Sequence, residues 1–152
     1  MEIKIASLKD FQELFELYKA LYDIDQSFDH LKEKKEVEIL LKKYFRKFFE
    51  KENYFVILAK EKEILGFVSI CLKYYPRVYQ ERKFAYLDSI FVKEKARKKQ
   101  IGKKLILKAQ EILKEKGIRF LELEVYEKNK GAKKFFQKLG FKTLSQKMRK
   151  KI

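Results

Sequence analysis

The feature that most restricts the fold is the stretch AYLDSIFVKEKARKKQIGKKLILKAQEILKEKG, from Ala85 to Gly117. Phe84 to Val92 is rich in aromatic and β-branched residues at short spacing and reads as a strand. From Gly102 onward, Leu105, Ile106, Ala109, Ile112 and Leu113 recur at intervals of three and four, the pattern of an amphipathic helix. Between the two lies a short basic turn, Lys93 to Ile101, which runs into Gly102. A strand that turns directly into a helix presents unpaired backbone N–H groups and the positive end of the helix dipole at the turn. That is a place to hold phosphate.

The rest of the chain supplies partners for this unit. Glu2 to Ala6 alternates as a short strand, and Ser7 is a candidate cap for a helix that ends near Ile24. Phe11, Leu14, Phe15, Leu17, Tyr18 and Leu21 form its apolar face. Asp25 to His30 reads as a loop, with Ser27 or Asp29 capping a second helix. That helix is expected to bury Val37, Leu40, Leu41, Tyr44, Phe45, Phe48 and Phe49. Tyr54 to Ala59 and Ile64 to Tyr74 flank a charged turn and read as an antiparallel hairpin, broken at Pro76. Gly117 closes the third helix, and Arg119 to Tyr126 is the next strand. Asn129 to Leu139 is a short helix stopped at Gly140, and Phe141 to Met148 a last strand. Residues 1–152 are thus expected to form one domain, an α/β (α+β) sandwich with a mixed, mostly antiparallel sheet.

Charge bears on the partners. The net charge of +16, from 38 Lys and Arg against 22 Asp and Glu, favours anionic ligands such as nucleotide phosphates, acidic segments or nucleic acid. Lys and Glu interspersed on helix surfaces also fit a heat-adapted composition, so the charge does not decide the function. No apolar run approaches the roughly 20 residues that cross a bilayer. The N-terminal residues lack the apolar core of a signal peptide, so a cytoplasmic protein without a membrane partner is expected. Cys71, the single cysteine, sits in a strand-like segment and reads as a buried, inert thiol. His30, the single histidine, has no companions with which to bind a metal, so no metal site is expected.

With these elements in order, the whole chain resembles the GNAT superfamily of N-acetyltransferases. Two local signatures carry the resemblance. One is the family's pyrophosphate loop after a central strand, here Arg97-Lys98-Lys99-Gln100-Ile101-Gly102 preceded by Ile90-Phe91-Val92. The other is the segment Asn129-Lys130-Gly131-Ala132-Lys133-Lys134-Phe135-Phe136, which runs on to Gly140-Phe141. Two positions depart from the family pattern. Gln100 stands where the loop has its first glycine, and Phe136 where many members carry the tyrosine thought to protonate the departing thiolate. The resemblance implies a six- to seven-stranded sheet flanked by about four helices, and it leaves a homodimer joined through sheet edges open.

The resemblance implies acetyl-CoA as cosubstrate and an amine as acceptor. Backbone N–H groups from Lys98 through Lys103 would hold its pyrophosphate, with Lys98, Lys99 and Lys103 adding charge. The edge Ile90 to Val92 would pair with the pantetheine arm as a strand does, and the N–H of Val92 or its neighbour would face the acetyl oxygen. Asn129 would lie near the arm and cap the next helix. An amine attacks only when neutral, so a carboxylate must take its proton. Glu124 and Asp88 are the two candidates, and period two puts Asp88 on the face of Ile90 and Val92. Tyr126 and Tyr86 are possible stand-ins for the missing phenol. Asp23, Asp25 and Asp29 concentrate acid that would attract a cationic acceptor, or merely cap a helix end. The competing readings are an acetyl-CoA-binding module without catalysis and, with less support, a nucleic-acid-binding protein.

Overall fold

In the computed structural model, which describes residues 1–152, the chain runs β1 (Glu2–Ile5), α1 (Phe11–Gln26), α2 (Val37–Glu50), β2 (Tyr54–Lys60), β3 (Ile64–Tyr74), β4 (Lys83–Val92), α3 (Ile101–Glu115), β5 (Leu121–Glu122) and α4 (Lys130–Lys138). Short 3-10 helices cover Leu8–Asp10 and Glu94–Lys99. The strands form one sheet in sequence order. β1 to β4 are antiparallel neighbours, and β5 joins β4 in parallel.

Both faces of the sheet are covered, which is why β2 and β3 read as nearly continuous apolar runs rather than as alternations. On one face, α1 and α2 pack Phe11, Leu14, Phe15, Tyr18, Phe45 and Phe48 against Val56, Leu58 and Phe67. On the other, α3 brings Ile101, Leu105, Ile106, Ala109 and Leu113 onto Ile57, Val68, Ile70, Ala85 and Leu87. These are the three- and four-residue spacings seen in the sequence. Ser7 and Asp10 close a reciprocal capping box ahead of α1, the Ser7 N–H donating to Asp10 Oδ2 at 3.0 Å. Cys71 is buried among the apolar residues under α1 and α2, and burial raises its thiol pKa, as expected of an inert cysteine.

The sheet has five strands, fewer than the six to seven expected. Arg119 to Tyr126 pairs with β4 only at Leu121 and Glu122. Phe141 to Met148 joins no ladder. Beyond Phe141, which packs on the core, its apolar side chains cover nothing, since Leu144 is 80% and Met148 88% exposed. α1 continues two residues past Ile24, and α2 begins only after Glu36, so neither Ser27 nor Asp29 caps it. Leu40, expected inside, is 45% exposed.

Candidate active site

A β-bulge organises the site. Across the β3–β4 ladder, Ser69 faces Ser89 while the next residue, Ile70, faces Leu87, so Asp88 has no partner. The extra residue reverses the alternation of β4. Ala85 and Leu87 point to the α3 side, and so do Ile90 and Val92 beyond the bulge. Tyr86 and Phe91 point to the α1–α2 side, where Asp88 also lies, bonded to Tyr44. The expectation that Asp88 shares a face with Ile90 and Val92 is therefore corrected, because strict period two fails at an unpaired residue.

The other edge of β4 is open beside the bulge. Ala85 donates its N–H to Phe120 in the β5 direction, at 2.9 Å, but the β4–β5 ladder ends at Tyr86 and Glu122. Lys93 donates to Leu65 on β3, at 2.8 Å. Alternation along an extended strand then aims the Val92 N–H at the other, unpaired edge. Continuing the parallel register by two residues sets Glu124 opposite Asp88, but here the strands have parted and Glu124 is exposed.

Below the open edge the basic turn folds as the 3-10 helix Glu94–Lys99, pinned by buried Ala96 and by the Arg97 Nε–H, which donates to the Val92 carbonyl at 3.1 Å. Gln100 then takes a left-handed conformation, φ 56°, and α3 starts at Ile101. No side chain caps α3 and no acidic residue lies in its first turn. The N–H groups of Ile101, Gly102 and Lys103 thus have no intrahelical partner. Arg97, Lys98, Lys99 and Lys103 surround them, all exposed. This donor set fits a diphosphate. Gly102 has a packing reason as well, since a Cβ there would meet the Phe135 ring at 3.0 Å. Gln100 is the misfit, because a left-handed non-glycine residue costs about 1–2 kcal/mol. Gln100→Gly should raise stability by up to about 1 kcal/mol, once the greater unfolded freedom of glycine is allowed for. A urea midpoint at or below that of the parent would contradict this.

On the α1–α2 side, Tyr18, Leu21, Tyr22 and Asp25 of α1, Tyr44 of α2, and Asp88 and Ser89 of β4 line a cavity of about 190 Å³. Tyr44 donates its hydroxyl to Asp88 Oδ1 at 2.7 Å. Burial pushes the Asp88 carboxyl above the usual carboxylate range, against the opposing pull of the Tyr44 hydroxyl, Lys73 and Lys47. Burial, and then the charge of Asp88, raise Asp25 as well. Tyr86 is pushed up to about 12 by burial and by Glu124 and Asp88, which places its phenol within the field of both carboxylates. A larger hollow, about 310 Å³, lies between the β2–β3 turn and the 3-10 helix. Most of its charges are paired, Glu63 with Lys95 and with neighbouring Lys93, the latter at 3.4 Å, and Lys99 with Glu61 at 4.0 Å.

The remaining candidates are distributed as follows. Asn129 caps α4, accepting from the Ala132 N–H at 3.2 Å. Phe136 is buried in the α3-side core against Phe141, centroids 5.5 Å apart, and supplies no proton donor. Tyr126 is exposed and stacks on Phe28 at 5.7 Å. Of the three aspartates, only Asp25 lines the cavity. Asp29 accepts both ends of the Arg149 guanidinium at 2.8 Å, and Asp23 is exposed. His30 is exposed. Sequence reading missed Tyr18 and Tyr44, because a tyrosine on an apolar helical stripe is indistinguishable from core, and Tyr22, which lies off that stripe and belongs to no motif. No three His, Cys, Asp or Glu side chains are grouped to hold a metal, and no helix is long and apolar enough to cross a membrane.

This arrangement has relatives. An uncharacterized N-acetyltransferase of Methanocaldococcus jannaschii is 32% identical over 145 residues, covering 91% of this chain and 59% of the relative, so the chain spans about three-fifths of that protein. The spermidine N(1)-acetyltransferase of Thermoplasma acidophilum is 27% identical over 150 residues, 93% of this chain and 88% of the other. A solved Bacillus halodurans structure superposes with a TM-score of 0.87 over the full length of both chains, at 23% identity, which speaks to the fold alone. The profile of the acetyltransferase (GNAT) family matches residues 11–141, nearly all of the elements described above. The chain therefore belongs to the acetyltransferase (GNAT) family, whose acetyl donor is acetyl-CoA.

Proposed function

We propose that this chain is an N-acetyltransferase that moves the acetyl group of acetyl-CoA to a primary amine by direct attack within one ternary complex. The observation that carries this reading is the bulge at Asp88. It lies just past the end of the β4–β5 ladder, where Asp88 and, by register, Glu124 flank the unpaired edge of β4, so that thioester and amine can meet there. The turn from Lys98 to Lys103 holds the diphosphate through main-chain N–H groups. The edge from Ile90 to Val92 aligns the pantetheine arm, and the Val92 N–H stabilises the oxyanion that forms as the amine nitrogen bonds to the carbonyl carbon. A carboxylate at the opening, Glu124 or Asp88, accepts the amine proton. The carbon–sulfur bond then breaks and the thiolate leaves. A free thiol has a pKa near about 8.5, so it departs without a dedicated acid, in keeping with a phenylalanine at position 136.

The acid lining of the cavity supports a cationic small amine as acceptor, and the activity named for the Thermoplasma relative agrees. Thiol release from acetyl-CoA across a panel of amines, together with calorimetric titration of acetyl-CoA, tests the reading. Saturable binding with amine-dependent thiol release is expected. Binding without release would instead favour a cofactor-binding module, the reading to which buried Phe136 lends support.

The desolvated carboxylate has a second consequence. Folding raises the Asp88 pKa, so its contribution to stability is full below the ordinary aspartate value and is lost as pH rises through the folded value. Asp88→Asn should therefore melt at a higher temperature than the parent at pH 7, with the gap closing as pH falls below about 3.9. The amide still accepts from Tyr44, so packing is kept. An equal or lower melting temperature at pH 7 would show that the ionised carboxylate is not a burden on the fold. A stabilised but impaired variant is the mark of a residue kept for function.

A further inference from the structure

The cavity holds two carboxylates, although one amine nucleophile needs only one proton acceptor. We infer that Asp25 and Asp88 together hold an ammonium group that is not acetylated, so that the acceptor is a di- or polyamine whose other nitrogen loses its proton to Glu124. This rests on the acetyltransferase reading and adds to it the class of acceptor and a residue that selects it.

Four observations converge. Asp25 and Asp88 approach the cavity from different walls, α1 and β4, and Asp25 lies in the field of Asp88. No cationic side chain lines the cavity, and neither Lys47 nor Lys73, which act on Asp88 from outside, forms an ion pair with it. Two carboxylates sharing a partly desolvated space that no cation lines are relieved by a guest cation. The walls suit an alkylammonium. Tyr44 and Tyr22 commit their hydroxyls to Asp88 and to Glu33, at 2.7 and 2.6 Å, which leaves ring surfaces for the cation and Leu21 for the chain. Finally, the bulge residues Asp88 and Ser89 line the cavity, and the β4–β5 register, continued by two residues, sets Glu124 opposite Asp88 where the ladder has ended, so the proposed base lies on the strand beside the carboxylate pair.

The test is thiol release from acetyl-CoA with diaminopropane, diaminobutane and spermidine, set against propylamine and butylamine. The diamines should show kcat/KM about tenfold or more above the monoamines, equivalent to about 1.4 kcal/mol or more. Asp25→Asn should raise the diamine KM about tenfold with kcat little changed, bringing diamines level with monoamines, and Asp25→Glu should restore part of the preference. Equal use of both classes by the parent, or a preference that survives Asp25→Asn, overturns the inference while the acetyltransferase reading stands. If no amine releases thiol, that reading fails and the site is judged by binding. The chain has no tryptophan, so its fluorescence comes from tyrosines, three of which wall the cavity. Diaminobutane should perturb that fluorescence in the parent and not in Asp25→Asn; no change in the parent overturns the inference.

Discussion

Glu124→Gln should lower kcat for amine acetylation by roughly 10²–10⁴-fold, the usual worth of a general base, with the acetyl-CoA affinity unchanged. The register of β4 and β5 places Glu124 opposite Asp88, two residues past the last paired position, where the strands have separated. Of the two carboxylates at the opening it is the exposed one, while Asp88 is half-buried and bonded to Tyr44. An exposed base can pass its proton on to water after each turnover. Glutamine keeps the size and one oxygen but cannot take the proton, so the effect belongs in kcat. Steady-state kinetics with a saturating amine, beside a calorimetric titration of acetyl-CoA, checks this. A Glu124→Gln enzyme within about threefold of the parent, with Asp88→Asn losing roughly 10²-fold or more in kcat instead, would move the base to Asp88 and leave Glu124 as an outward-facing strand residue.

How much of this could be read from residues alone depends on the range of the force involved. The turn at Lys93 to Gly102 and the amphipathic α3 were legible, because spacing and dipole act locally. The covered faces of β2 and β3 were legible in their apolar runs. The bulge was not. Nothing in Leu87-Asp88-Ser89-Ile90 says which residue lacks a partner, since that follows from matching β4 to β3 across the sheet. Missing it put Asp88 on the wrong face. The failed last strand has a similar origin: whether Phe141 to Met148 joins a sheet depends on an edge, and β5 offers only two paired residues. The cavity tyrosines stayed hidden because Tyr18 also belongs to the helical stripe that docks α1. Gln100 was visible as a departure, and its left-handed geometry shows that the turn keeps the shape a glycine would adopt more easily.

Phe45→Ala should cost about 3–5 kcal/mol of stability, a large part of the roughly 5–15 kcal/mol that holds a domain of this size. Phe45 is fully buried and stacks on Tyr18 at 4.4 Å, with Phe49 at 5.4 Å, Phe67 at 5.6 Å and Phe11 at 5.9 Å around it. One ring thus joins α2 to α1 and to the sheet, and no neighbour can close the space without moving a helix. The loss should also reach the site, because Tyr18 rests on this ring and Tyr44 is the residue before it. Both wall the acidic cavity. The donor turn at Gln100 lies on the other side of the sheet, against α3. In urea concentrations where Phe45→Ala is still folded, the KM for the amine should therefore rise while acetyl-CoA affinity holds. Phe45→Leu, which keeps much of the volume, should cost less and leave the amine KM nearer the parent. Equilibrium unfolding and paired titrations measure both effects. A loss under about 1 kcal/mol, well below the cost of emptying a core aromatic site, would mean that α2 is held by its flanks and that the cavity does not depend on this ring.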